Sequence, residues 1–418
     1  MKVCIIPAGE GGVAFYRVIQ PYSYLRDVMC KDIFIYDKKV HDMSRLYHEI
    51  ESCDIMIHQM PCSEQINTSI RNLRKRFPNK KMVAEYDDNI FGAVSPWNTK
   101  YNVFGIDNVS VTYSRPEDIE MLKKYTRPEW VKDNKNGSYT FKMWENGFND
   151  FFIENNIARL SAAKETVEIA DLVTTTTQEL AKELRAFRPK GKIAVLPNLV
   201  DFDRFLPMKK LNDGKVRIVW QGGSAHFADI AMIGPELVSF AKKHPEVEYV
   251  FQGVEYSAIF KEIKDRVKWL AWHGDIYTYP LSVRDLAGDI AICPLVDDKF
   301  NRSKSPLKYE EMSAMNVPCV CSPTVYGKYI EHGKDGFIAK QGEWEQCLEE
   351  LLDEKKRNLV SERAYNRVKS RFGIQNATMY WSALQDMYFG TDTSLNKQDI
   401  VKYKPIVVPE FETELCTN

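Results

Sequence analysis

The chain has almost no net charge, no long apolar run and no paired-cysteine motif, and each lack removes a class of protein. Across 418 residues, 57 Lys and Arg stand against 58 Asp and Glu, a formal charge of −1. No global field draws the molecule to nucleic acid, although a local basic groove stays open. No stretch approaches the ~18 apolar residues of a membrane-spanning helix. The opening "MKVCIIPAGE" is too short for the apolar centre of a signal peptide and has no small-residue cleavage site, so a cytoplasmic location is expected. The nine cysteines are scattered without a C-x-x-C pair. An odd count at irregular spacing suits reduced, buried thiols, and the two nearest, Cys319 and Cys321, fall in an apparent strand. The glycines after the first strand do not spell G-x-G-x-x-G, so the dinucleotide fingerprint is missing. No internal repeat is visible.

What is present is an alternation of short apolar strands with helical patterns, in a chain too long for one ordinary core. "KVCIIPA", "DIFIYD", "DIMIHQM" and "KMVAEYD" read as strands, and "SEQINTSIRNLRKRFP" as a basic-faced helix between the last two. This order implies parallel strands with crossover helices. Residues from about 97 to 155 break the rhythm with an aromatic, turn-rich insertion. A helix, "DLVTTTT", a second helix and "KIAVLPN" restore it. "LVDFDRFLPMKKLNDG" then reads as a connection, punctuated by Pro197, Pro207 and Gly214. A second alternating set runs from "KVRIVWQGG" through "EYVFQGV", "VKWLAWHG", "IAICPL" and "VPCVCS". The expected division is a first Rossmann-like domain over 1–203, a second over 204–374, and a crossover helix with a polar tail over 375–418. The tail, with "YKPIVVPEFE", is expected at the surface or partly disordered.

Four stretches carry chemistry. In "FNRSKSPLKYEEMSAMNVPCVCS", Pro306 suits the first turn of a helix, and a helix N-terminus exposes N–H groups that hold phosphate. Lys304 just before it and Lys308 in its first turns can reach one pyrophosphate. Glu311, a turn further, can accept from a ribose diol. Surface charges on an amphipathic helix would look the same. "VRIVWQGGSAHFADI" places Gly222, Gly223 and Ser224 between a strand and a helix, where backbone can approach a phosphate closely. His226 and Asp229 stand at that helix start, and an ordinary tight turn is the competing reading. "MIHQMP" and "AEYDDNIF" put His58, Asp87 and Asp88 at strand C-terminal ends, where open α/β sheets place ligands. A carboxylate there can orient or deprotonate an acceptor hydroxyl, or simply cap the next turn.

"SPLKYEEMSAMNVPCVCS" resembles the donor-site segment of GT-B glycosyltransferases, especially the GT4-like (family 4, group 1) members. "SPTVYGKYIEHGKDGFIA" and "KIAVLPNLVDFDRFLP" resemble the same family in the right order. The resemblance implies an α/β GT-B fold, two Rossmann-like domains facing across a cleft. It places Lys308 on the phosphate-binding lysine and Glu311 on the ribose-binding glutamate. Ser303 stands where the first glutamate of the family's E-x7-E pair would fall, with Asn301 and Lys304 in position to take its role. Gly222, Gly223 and Ser224 would face the diphosphate. Trp272 and His273 in "AWHGDI" would lie by the base. Gly11 and Gly12 match the glycine-rich first loop, with Arg17 nearby on the donor-phosphate or acceptor side. The implied reaction is transfer from a nucleotide diphosphate sugar, a UDP-sugar first among them, to a hydroxyl, with retention. The acceptor stays open among a glycan, a small molecule, a protein and a modified DNA base. Neither Asp87-Asp88 nor Asp297-Asp298 has the D-x-D spacing of metal-dependent GT-A enzymes, so no obligatory metal or other cofactor is expected. Two alternatives stand beside this reading: a GT-B-fold nucleotide-sugar epimerase, and a non-catalytic carbohydrate- or nucleotide-binding protein.

Overall fold

The computed structural model describes residues 1–390 and 400–402. The first four strands are β1 (Val3–Ile6), β2 (Ile33–Ile35), β3 (Ile55–Gln59) and β4 (Lys81–Tyr86). The insertion contributes β5 (Val109–Tyr113), β6 (Val131–Asp133) and β7 (Tyr139–Trp144), after which β8 (Leu172–Thr175) and β9 (Lys192–Val195) return to the first sheet. The second domain holds β10 (Val216–Gly222), β11 (Val247–Gly253), β12 (Val267–Ala271), β13 (Ile290–Cys293), β14 (Cys319–Cys321) and β15 (Phe337–Ile338), and β16 (Ile400–Lys402) comes last.

Two parallel sheets result. The first has the order β16-β9-β8-β4-β3-β1-β2 and the second β12-β11-β10-β13-β14-β15. Their inner strands, β1, β3, β4, β8 and β9 in the first sheet and β10, β11, β13 and β14 in the second, are short, largely apolar and largely buried, as sheets covered by helices on both faces require. Helix starts are fixed by side-chain caps: Ser63 accepts from the Ile66 N–H, and Thr177 from the Leu180 N–H.

The insertion is a unit of a different kind. β5, β7 and β6 form an antiparallel sheet. Tyr101 and Phe151 stack at 5.9 Å beside it, and Trp144 Nε1 donates to Pro96 O at 2.8 Å.

The end of the second domain returns to the first. Val200 donates to Phe372 O at 2.7 Å and accepts from Ile374 at 2.9 Å. The helix Thr378–Phe389 then buries Met379, Tyr380 and Leu384 in the same core as Val3, Ile57 and Leu172. Ile400–Lys402 pairs with β9 at the sheet edge. The rest of the tail, "YKPIVVPEFE" included, lies outside the described residues.

Candidate active site

The C-terminal ends of the two sheets face each other, and a cavity of about 380 Å³ lies between them. From the first domain come Gly11, Gly12, Val13, Tyr16, Asp87, Asp88 and Thr176. From the second come Gln221, Gly222, Gly223, His226, Trp272, His273, Tyr279, Lys304, Lys308 and Glu311.

The backbone of β10 is brought close by a glycine beside it. Gly253 holds φ +121°, and a Cβ there would lie 1.9 Å from Gly222 O. At Gly11 and Gly223 an added Cβ would meet no protein atom within 4 Å, so both open onto free space. The first-domain loop is braced from below. The Gln59 side chain accepts from Ala8 N–H at 3.0 Å and donates to Val13 O at 3.2 Å, one contact on each side of the glycines.

The helix Leu307–Ala314 supplies the charged floor. Lys308 Nζ donates to Gln221 O at 2.5 Å and sits 5.3 Å from the Trp220 ring. Burial pulls its pKa below the ordinary lysine value, with Glu311 pulling the other way. Lys304 is held down by burial too, against the opposing fields of Asp229, Asp88 and Asp298. Both ammonium groups are therefore short of solvation, which an arriving anion would supply.

Glu311 accepts from Tyr16 at 2.6 Å, Gln221 Nε2 at 3.0 Å and Tyr279 at 3.2 Å. Burial raises its pKa, and these donors oppose the rise. His226 lies 2.6 Å from Asp229 through Nδ1. Burial and then the Lys304 charge push its pKa down to about 4, so the imidazole is neutral at pH 7 and donates to the carboxylate.

Across the cavity, Asp88 pairs with Lys100 of the insertion. Asp87 Oδ1 is buried with no partner. Burial, and after it the neighbouring Asp88, push its carboxyl up to about 8. That places a proton-transfer group near neutral pH in the cavity.

Three expected residues stand elsewhere. Arg17 is 1% exposed and faces the protein interior. It pairs with Glu85 at 2.7 Å, donates to Leu196 O at 2.5 Å and reaches the Tyr380 hydroxyl at 2.9 Å. It ties the first sheet to the returning helix and touches no part of the cavity. His58 also misses it, because strand neighbours point to opposite faces. Its neighbour Gln59 takes the loop-facing side, while His58 Nδ1 lies 3.2 Å from Gln59 O. Asn301 turns inward, donating to Val296 O at 3.0 Å. Ser224 opens the short turn Ser224–His226 behind the glycines.

Tyr16, Gln221 and Tyr279, the partners of Glu311, were not singled out from the sequence. No local signal in the sequence separates Tyr16 and Tyr279 from buried core aromatics. Hydrogen bonds link the domains beside the cavity: Asn89 to Ser303 Oγ at 3.1 Å, Thr177 to Ser303 O at 2.7 Å and Asn198 to Ser305 Oγ at 2.8 Å.

The one three-residue set of potential metal ligands among the described residues is Cys293, Cys319 and Cys321, whose sulfurs lie within 4.8 Å of one another. It belongs to the core under the Leu307–Ala314 helix and does not line the cavity. The Asp pairs gather no third ligand.

No family model matches the chain, and no curated protein matches it. Solved structures do. Sucrose-phosphate synthase from Thermosynechococcus elongatus superposes with a TM-score of 0.56 at 14% identity, over 94% of this chain and 100% of that one. HepE from Anabaena, solved in complex with UDP-glucose, gives 0.53 at 12% identity over 92% and 99%. TarM of S. aureus gives 0.50 at 11% identity over 79% of this chain, which spans 54% of the length of TarM. Identities this low speak for the fold, and the fold is GT-B: two Rossmann-like domains facing across a cleft.

Proposed function

We propose that the chain is a glycosyltransferase that moves a sugar from a nucleotide diphosphate sugar to an acceptor hydroxyl. The observation that carries the reading is that the Leu307–Ala314 helix and the residues just before it bring Lys304, Lys308 and Glu311 into one cavity, opposite Asp87 and the Gly11–Gly12 loop. Two under-solvated cations suit a diphosphate leaving group, whose negative charge grows as the bond to the sugar breaks. Glu311 suits a ribose diol. The neutral His226, hydrogen-bonded to Asp229, offers its remaining ring nitrogen to the same space.

In the proposed step the C1–O bond to the diphosphate breaks and a C1–O bond to the acceptor forms. The acceptor proton passes to a donor phosphate oxygen on the same face, which retains the anomeric configuration. Lys304 and Lys308 hold the departing diphosphate. Asp87 orients the acceptor hydroxyl from the first-domain wall. HepE binds UDP-glucose by its own description. With that as support, a UDP-sugar is the first donor proposed. No metal is assigned a role, since the lysines can carry the leaving-group charge. Arg71, Arg74 and Arg76 on the basic helix pair with Glu165, Asp171 and Glu51, so this face gives a DNA acceptor no special support.

The test is calorimetry and thermal shift of the purified protein against UDP, GDP, ADP and TDP sugars, with and without EDTA. One donor class should bind and stabilise the fold by mass action, insensitive to EDTA, and should hydrolyse slowly. Binding without any turnover would favour a carbohydrate- or nucleotide-binding protein, a reading kept in view by Ser303 at the glutamate position. Asp87→Asn should leave donor binding intact and slow transfer; unchanged turnover would remove Asp87 from the site.

A further inference from the structure

Glu311, the carboxylate given above to the donor ribose, already has most of its oxygens engaged. Tyr16 donates to Oε1 at 2.6 Å, while Gln221 and Tyr279 donate to Oε2 at 3.0 and 3.2 Å. An ionised carboxylate offers about four lone-pair sites. Three are in use, and the fourth lies on Oε1 beside the tyrosine. A ribose 2′,3′-diol brings two O–H donors. Diol and tyrosine together ask for more than the carboxylate can accept.

The three donors are not equivalent. Gln221 and Tyr279 belong to the same domain as Glu311, at the end of β10 and in the helix Tyr279–Arg284. Tyr16 comes from the other domain. It sits in a π-helical turn, Phe15–Ile19, set between the short helix Gly12–Ala14 and the helix Gln20–Asp27. Such turns widen a helix locally and recur at functional sites. This one follows the open glycine loop, and Tyr16 lines the cavity. Other interdomain hydrogen bonds run through Ser303 and Ser305 and from Arg204 to Gln20 Oε1 at 3.1 Å, so breaking the Tyr16 contact releases one strut and leaves the others.

We propose that the Tyr16 hydroxyl holds the place of a ribose hydroxyl on Glu311 and yields it when a ribonucleoside diphosphate binds, exchanging an interdomain hydrogen bond for a ligand one. The inference rests on the reading of Glu311 as the ribose carboxylate. It makes Tyr16 a positioning residue that sets how strongly the site prefers a ribonucleotide to one without the diol. Part of the diol's binding energy goes into displacing the tyrosine, so the preference in the natural chain is muted.

The experiment is calorimetry of the full chain and of Tyr16→Phe with UDP, GDP, ADP and their 2′,3′-dideoxy counterparts. For the base that binds, Tyr16→Phe should tighten the ribonucleotide about tenfold, the scale of one charge-assisted hydrogen bond no longer broken. The dideoxy form should stay within about twofold, because it makes no demand on Glu311. An equal shift on both, no shift, or weaker ribonucleotide binding would overturn the proposal. Glu311→Gln separates the two layers. If it leaves the ribo-to-dideoxy preference unchanged, the ribose reading of Glu311 is wrong and the Tyr16 exchange goes with it. Absence of binding by all six nucleotides would overturn both.

Discussion

Lys308 and Glu311 stand one helical turn apart and are expected to read different parts of one ligand. Each contributes hydrogen bonds to a charged group, worth ~1.5–3 kcal/mol apiece. Lys308→Ala and Glu311→Ala should each weaken nucleotide binding ~10- to 100-fold in calorimetry, since about 1.4 kcal/mol is a factor of ten. Asp87 makes a prediction of opposite character. Its carboxyl is pushed up to about 8, chiefly by burial, while an unfolded aspartate titrates near ~3.9. Between those values the folded chain keeps a proton that the unfolded chain has released. Its contribution to stability therefore falls as pH rises from about 4 to about 8 and is level beyond. Asp87→Asn should raise the melting temperature near pH 8, leave it unchanged near pH 4, and so flatten the stability profile measured by thermal unfolding. At this scale the sequence was informative where residue type and helix position coincide, as at Lys304, Lys308 and Glu311. It was silent where burial or strand parity decides. Nothing local distinguishes the buried Arg17 from a surface arginine, or tells which of His58 and Gln59 faces the loop.

Among the elements, the helix Leu307–Ala314 controls the site, and its end is set by one residue. Asn316 holds φ +57°, and its backbone N–H donates to Ser313 O at 3.0 Å. That left-handed conformation suits Asn and Gly and penalises other side chains. Asn316→Ala should cost ~1–2 kcal/mol, or roughly 2–4 °C in Tm per kcal/mol for domains of this size. Asn316→Gly should be close to neutral in the same melting experiment. The parallel strands β1 to β4 and β8 to β14 were legible because each is a compact apolar run closed by a turn residue, whereas the short edge strands β15 and β16 gave no such run. The insertion was legible as an interruption but not as a sheet. β5 alternates between half-buried and exposed positions, with no fully buried face, and β6 has three residues. Neither carries the strong apolar period that marks a strand. Lys100, which reaches from this segment to Asp88, had no signal beyond being a charged residue in a loop.

Over the whole molecule, the two domains are joined by more than their linker. Leu384, fully buried in the returning helix, packs in the core of a domain whose first strand begins at Val3. Leu384→Ala should cost ~2–5 kcal/mol, and hydrogen exchange should show the loss at the amides of β1 rather than in the second sheet. If only the second sheet exchanges faster, the helix does not support the first domain as its packing indicates. The alternation of strands and helices announced two Rossmann-like units. It could not announce that Tyr380 would donate to Pro197 O at 2.8 Å, because that contact depends on how the finished domains meet.

This return has a consequence for how the chain is made. The strands of the first domain up to β9 leave the ribosome well before its last core helix exists. About 180 residues separate Val200 from Thr378, which at about 5–20 residues per second is a delay of roughly 9–36 s. Throughout that interval the nascent first domain lacks part of the apolar core that Val3, Ile5 and Tyr22 later share with Met379 and Leu384. Maturation of the first half is thus timed by translation of the second, and a chain stalled in between is a natural client for chaperones.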